Sequence, residues 1–210
     1  MIRILITDDH PVVLEGLKHL VAGAADLEVA GTASTGQEAI EKLRKGHWDV
    51  VLLDISMAGM DGLETLKQIR RTHPGLPVLV LSVHAPEQYA VRAMRDGAAG
   101  YLDKGISGAE LVLAIRKAAA GGKYLTQEVA ELLASVVSAD TVEPPHGRLS
   151  DRELEVLLKL TSGKPLTEIA CELSVSTKTV STYRARILEK LRLRNTAEIV
   201  SYAFQHGLHA

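Results

Sequence analysis

"DVVLLDISMAGMDG" (residues 49–62) sets four consecutive apolar side chains, Val50 to Leu53, directly before a carboxylate, Asp54. A run that is apolar at every position, rather than at alternate ones, belongs to a strand covered on both faces, as in a parallel sheet. The loop that follows holds Gly59, Asp61 and Gly62, residue types that turn a chain toward its next element. A buried strand that ends on a charge needs a reason, and the sequence on either side supplies one.

The pattern repeats outward from this stretch. "IRILIT" (2–7), "EVAGTA" (28–33), "PVLVLS" (77–82) and "AGYL" (99–102) read as four more strands around "DVVLL" (49–53). Between and after them, residues 11–24, 36–46, 61–73, 86–97 and 107–122 show helical spacing; Leu111, Ala114, Ile115 and Ala118 form one such stripe. Pro11 and Pro86 fall where a first helical turn tolerates proline, and Gly97 and Gly121 fall near helix ends. Five strand–helix units in succession predict an α/β doubly wound, five-stranded parallel sheet.

A further helical stretch (126–137) leads into "SADTVEPPHG" (138–147), a polar, proline-containing segment without periodicity that reads as a linker. Residues 148–210 contain no strand pattern. They predict four short helices, 151–162, 166–173, 177–191 and 196–206, with Ser150, Ser176 and Asn195 as N-caps of the first, third and fourth. The expected organisation is a first domain over 1–122, a helical extension and linker over 123–147, and a small all-α domain over 148–210. A chain of 210 residues suits two small domains.

Charge divides along the same line. Residues 1–137 hold 14 Lys/Arg against 17 Asp/Glu, whereas 148–210 hold 10 against 7, and 176–194 hold six bases and one acid. A locally basic second half makes a nucleic acid a candidate partner for it, although charged helix faces are commonly just solvated. The single cysteine, Cys171, rules out an intramolecular disulfide and a cysteine-based metal cluster; it reads as a small structural residue. The N-terminal apolar run is too short for a signal peptide, and no stretch reaches the ~18 apolar residues of a membrane span, so a cytoplasmic protein is expected.

In an open parallel sheet, ligands bind beyond the carboxyl ends of the strands. Those ends carry Asp8 and Asp9, Asp54, Ser82 and Lys104. Clustered carboxylates repel one another and need a counter-charge; oxygen ligands with room for water suit magnesium. Asp54 is a candidate nucleophile, since an aspartate can take up a phosphoryl group. Lys104 and Ser82 would neutralise and hydrogen-bond its oxygens. A hydrolase with an aspartate nucleophile is the competing reading. It fits poorly, because the first strand ends in "DDH", with adjacent carboxylates, and no cap domain follows. The eight histidines show no metal-ligand spacing, and His10 and His84 beside the pocket read as solvated.

In the second half, Ile169, Ala170 and Leu173 give one helix an apolar face, and "SVS" (174–176) makes a short turn. Val180, Tyr183, Ile187, Leu188 and Leu191 give the next helix its inward face. Lys178, Thr179, Ser181, Thr182, Arg184, Arg186 and Lys190 fall largely outward. Hydroxyl and long basic side chains on one face of a second helix are what a helix-turn-helix presents to a major groove and its phosphates. An ordinary amphipathic helix with a solvated basic face has the same pattern.

The set Asp8, Asp9, Asp54, Ser82, Lys104 along the sheet resembles the receiver domain of two-component response regulators. "LSDRELEVLLKLTSGK" (149–164), "EIACELSVSTKTVSTYRARILEKL" (168–191) and "RNTAEIVSYAFQHGL" (194–208) resemble the LuxR-type DNA-binding domain, and the order of the two resembles the NarL/FixJ class. The resemblance implies that Asp54 is the phosphoacceptor and that Mg2+ is held by Asp8, Asp9, Asp54 and the backbone carbonyl of Ser56. It further implies that Ser82 and Lys104 contact the phosphoryl group and that Tyr101 is a switch aromatic moving inward. Simple strand packing accounts for Tyr101 equally well. Ala58 stands where receivers commonly carry proline.

By the same resemblance, the helix-turn-helix runs from Leu166 to Ala185, and Lys178, Thr179, Ser181, Thr182, Arg184, Arg186 and Lys190 supply the DNA contacts. The last helix, with Ile199, Val200, Ala203 and Phe204 on one side, serves a dimer interface. The expected protein is a DNA-binding transcriptional regulator, not an enzyme, activated by phosphoryl transfer from a sensor histidine kinase. Its partners would be promoter DNA, a second copy on that DNA and RNA polymerase. The alternative is a phosphorylation-independent DNA-binding regulator whose receiver is a docking module.

Overall fold

The computed structural model describes residues 1–57, 62–138 and 145–208. Ala58 and Asp61, and the centre of the 138–147 linker, lie outside the described residues. The chain divides into two compact units, Met1–Leu133 and Ala134–Ala210.

In the first unit the strands β1 (Ile2–Thr7), β2 (Leu27–Ala33), β3 (Val50–Asp54), β4 (Val78–Ser82) and β5 (Gly100–Asp103) form one sheet in the order β2-β1-β3-β4-β5. Every pairing is parallel. The helices α1 (Pro11–Ala22), α2 (Gly36–Lys45), α3 (Gly62–Thr72), α4 (Pro86–Arg95) and α5 (Gly108–Ala119) connect and follow these strands. Ile4, Ile6, Val50, Leu52, Leu79 and Leu81 point to one face and pack with Leu17 and Val21 of α1 and Leu111, Ala114, Ile115 and Ala118 of α5. Leu5, Val51, Leu53, Val78 and Val80 alternate to the opposite face and are equally buried. Both faces of the central strands are therefore dry, which is why their sequences are apolar throughout.

Local chemistry fixes the element ends. Thr35 caps α2, accepting from Glu38 N at 3.1 Å, while the Glu38 carboxylate reaches back to Ser34 N at 2.7 Å. Ser107 caps α5, and proline opens α1 and α4. Among the described residues the strand order reverses between β1 and β3, so the crevice at their carboxyl ends lies at the switch point of the sheet.

α6 (Gln127–Ser138) follows, and a single 3-10 turn (Pro145–Arg148) precedes α7 (Asp151–Thr161), α8 (Leu166–Glu172), α9 (Thr177–Leu191) and α10 (Thr196–Gln205). The caps Ser150, Ser176 and Asn195 accept from Glu153 N, Thr179 N and Glu198 N at 3.3, 3.1 and 2.9 Å. Leu154, Leu157, Ile169, Val180, Ile187 and Ile199 are buried at the centre of this bundle. Cys171 is exposed on α8, so it has no core role.

Candidate functional site

Three of the strand ends converge as the sheet register dictates. β1 delivers Asp8 and Asp9, β3 delivers Asp54, and pairing of Ser82 with Asp103 carries Lys104 to the same edge, where Lys104 N donates to Ser82 O at 2.8 Å. Asp8 and Asp54 are fully buried, and Lys104 Nζ lies 2.6 Å from Asp8 Oδ2 and 2.9 Å from Asp54 Oδ2. Both are short ion pairs, so one ammonium bridges the two carboxylates. The other oxygen of Asp54 accepts from Ser56 N at 3.1 Å.

Two buried carboxylates share one ammonium, which leaves net negative charge. Burial pushes the Asp54 carboxyl above its ordinary value; Lys104 opposes the shift and Asp8 adds to it. For Lys104, burial works against the charge, but attraction to Asp54 and Asp8 outweighs it and the ammonium is held above its ordinary value. Oxygens of Asp8, Asp9 and Asp54, with a ring nitrogen of His10, lie within 4.8 Å of one another. Three carboxylates with uncompensated charge fit a hard divalent cation, and the cluster is the kind that holds Mg2+.

Around this centre the expected residues divide. The Ser82 hydroxyl accepts from His84 N at 2.9 Å. Tyr101 is buried, with its hydroxyl donating to His84 O at 3.0 Å and lying beside Ser82; burial raises its phenol well above the ordinary range. The ring thus already occupies the inward position. His10 is largely solvated, its Nδ1 2.7 Å from Asp9 Oδ1. His84 is not: its Nε2 meets Ser56 Oγ at 3.0 Å, tying the loop after β4 to the loop after β3. The sequence carried no signal for that bridge, because it spans 28 residues and depends on loop conformation. Gly62 was also missed as a site residue. A Cβ there would sit 2.2 Å from Asp54 O and 2.5 Å from Ile55 Cα, so α3 can start against the end of β3 only with glycine.

The second unit presents α8, a turn and α9. Ser174 adopts a left-handed backbone (φ 53°) that sends the chain from α8 into α9. Val180, Ile187 and Leu191 face inward, and Lys178, Thr182 and Arg186 are exposed. Thr179 spends its hydroxyl on Ser176 at 2.8 Å and Thr182 donates back to Lys178 O at 3.0 Å. Ser181 and Arg184 are half-buried, and Arg184 Nε is buried without an acceptor among the described residues.

Lys190, expected among the DNA contacts, is exposed and also makes contacts within the unit. Its ammonium lies 2.6 Å from Glu153 Oε2 and donates to Arg148 O at 3.3 Å, pinning α9 to the start of α7. Burial raises the Glu153 carboxyl, but Lys190 and the Ser150 amide outweigh it and hold the group below its ordinary value. On α10, Ile199 and Ala203 are buried within their own chain, which leaves Val200 half-buried and Phe204 exposed on the expected dimer side.

Comparison with known proteins matches both halves. Residues 4–116 match the family "Response regulator receiver domain", and residues 147–203 match "Bacterial regulatory proteins, luxR family". Among the most similar curated proteins, the response regulator UvrY of Escherichia coli is 37% identical over 209 residues, covering 99% of this chain and 96% of that protein. The response regulator GacA of Pseudomonas syringae pv. syringae is also 37% identical, covering 99% and 98%. Among solved structures, RcsB from Salmonella enterica serovar Typhimurium, bound to promoter rprA in the presence of the phosphomimetic BeF3-, aligns with TM-score 0.65 and 27% identity over 96% of this chain and 97% of that one.

Proposed function

The chain belongs to the two-component response regulators that join a receiver domain to a LuxR-type DNA-binding domain, a class of transcription regulators, and from that premise we propose that Asp54 is its phosphoacceptor. The observation that carries this reading is the buried pairing of Asp54 with Lys104 at 2.9 Å, beside Asp8, at the carboxyl edge of the sheet.

A receiver domain implies a histidine kinase as phosphoryl source. The Asp54 oxygen attacks phosphorus, the bond from phosphorus to the donor imidazole breaks, and the released ring nitrogen takes up a proton. Asp8, Asp9, Asp54 and the Ser56 carbonyl would hold Mg2+, which when bound supplies positive charge against the phosphoryl oxygens. Lys104 supplies a second, fixed positive charge, already held in place by the backbone bond to Ser82. Ser82 is the hydroxyl donor to the new phosphoryl oxygen. Its turn toward phosphorus releases His84 N, and the same loop carries the carbonyl that holds Tyr101. The pocket accepts a phosphoryl group and does not turn over a substrate.

In the DNA-binding unit, Lys178 and Arg186 are exposed cations for phosphates, and Arg184 brings a donor that needs an acceptor. The structures of RcsB bound to promoter DNA, and of two RcsB dimers bound to two parallel DNAs, support a DNA target and a second copy for this chain, and RNA polymerase would complete the assembly. Among the described residues no helix is long and apolar enough to cross a membrane, and a cytoplasmic site of action fits a DNA target. The docking-module alternative would leave DNA affinity indifferent to the pocket. The deciding experiment measures promoter affinity with and without BeF3- and Mg2+. The expected result is tighter binding for the wild type and no change for Asp54→Asn; equal responses from both would refute the assignment.

A further inference from the structure

At the opposite edge of the same sheet, a cavity of about 280 Å3 opens between the end of α3, the start of β5 and the end of α5. Its wall holds two cations, Arg70 and Lys123, together with Gly97, Gly121 and Gly122. Arg70 Nη1 donates to Leu76 O at 3.2 Å, and Lys123 Nζ donates to Ala98 O and, at 3.5 Å, to Gly97 O. Carbonyl oxygens orient these groups but do not cancel their charge. The nearest acid in sequence, Asp96, faces Lys67 at 3.6 Å, and no carboxylate among the described residues pairs with either cavity cation. Burial and then the charge of Arg70 push the Lys123 ammonium below its ordinary value, as expected for like charges facing one space.

A second cavity of about 370 Å3, under Trp48 and His73, shares the walls Gly75, Pro77 and Ala119 with the first. Asp49 lines it too; its Oδ2 accepts from Arg3 N at 2.8 Å and its Oδ1 lies 3.4 Å from His47 Nε2, and each oxygen keeps a lone pair for a hydroxyl group. The first cavity therefore offers two positive charges and the second offers an aromatic wall with a hydroxyl acceptor.

We propose that these neighbouring cavities, which share Gly75, Pro77 and Ala119 as walls, bind a small sugar phosphomonoester, its phosphate between Arg70 and Lys123 and its hydroxylated body against Trp48 and Asp49. A monocarboxylate would neutralise only one of the two cations. A phosphomonoester carries about −1.5 to −2 at neutral pH and three acceptor oxygens, which matches a guanidinium fork plus an ammonium. The site is independent of the chemistry at Asp54, from which the sheet separates it.

The test is an NMR titration of the 15N-labelled full chain at constant ionic strength, first with inorganic phosphate and then with ribose 5-phosphate, against chloride. Saturable shifts of the Gly97, Gly121 and Gly122 amides are expected, with ribose 5-phosphate binding at least several-fold more tightly than phosphate. Ala119→Glu keeps both cations but supplies an internal anion, and Arg70→Gln removes one cation. Each should weaken binding tenfold or more, with melting curves confirming that the variants fold. Shifts that follow chloride equally, or that are confined to Ser82 and Lys104, would overturn the proposal. So would ribose 5-phosphate binding no tighter than phosphate, or wild-type affinity in either folded variant.

Discussion

Burial opposes ionisation of Asp54, and its neighbours compensate only in part. Converting it to asparagine keeps the shape and leaves Asp8 and Lys104 as a balanced pair. Asp54→Asn is therefore expected to raise the stability of the metal-free protein at neutral pH, on the order of 1 kcal/mol, read by denaturant unfolding. The pH dependence follows from the direction of the shift. A carboxyl raised in the folded state binds its proton more readily there than in the unfolded chain, so its cost is present above the folded value and disappears as pH falls below it. The stability gap between variant and wild type should shrink on acidification. Lys104→Met does the reverse: it strands two buried carboxylates, and a loss of about 3 kcal/mol is expected. Mg2+ should restore part of that loss if charge is its cause. A loss indifferent to Mg2+ would point to packing.

At the scale of elements, close approach and capping decide the rest. Gly62→Ala would drive a methyl into the Asp54 carbonyl, so α3 would have to move away from the pocket. The expectation is a loss of phosphodonor labelling larger than any loss of helix content by circular dichroism. On α9, Lys190 carries an ion pair to Glu153 that Arg186 lacks, which sets two different expectations. Lys190→Met should lower the melting temperature, because buried Glu153 loses its partner, while the salt slope of DNA binding stays as in the wild type. Arg186→Ala should leave stability nearly unchanged and reduce the magnitude of that slope by about 0.9, the value of one phosphate contact. A reversed pattern would return Lys190 to the DNA face. The α2 cap adds an acid-range signature. The Lys42 ammonium, then the Ser34 amide, hold Glu38 down to about 2 against an ordinary 4.5. Its contribution is therefore complete above about 4.5 and lost as pH falls toward 2, and Glu38→Gln should remove that part of the acid transition.

Over the whole molecule, what could be read from the sequence was whatever repeats with a period or sits at a fixed offset. Unbroken apolar runs gave the parallel strands, and strand ends gave Asp8, Asp54, Ser82 and Lys104 as one edge. Ser150, Ser176 and Asn195 were legible as caps because capping is local. What stayed hidden depends on distant partners. The His84–Ser56 bridge, the Lys190–Glu153 pair and the inward turn of Ile199 and Ala203 need tertiary contacts that no periodicity encodes. The two units also differ in charge, acidic before residue 138 and basic after 147, which suits a phosphoryl switch in one and a polyanion partner for the other. The central claim is that the switch acts through Asp54. Intact-mass and peptide mapping of the full chain after incubation with acetyl phosphate and Mg2+ tests it most directly. The account predicts one added phosphoryl group, located at Asp54 and absent from Asp54→Ala; equal labelling of the variant, or a phosphoryl group on another residue, would contradict it.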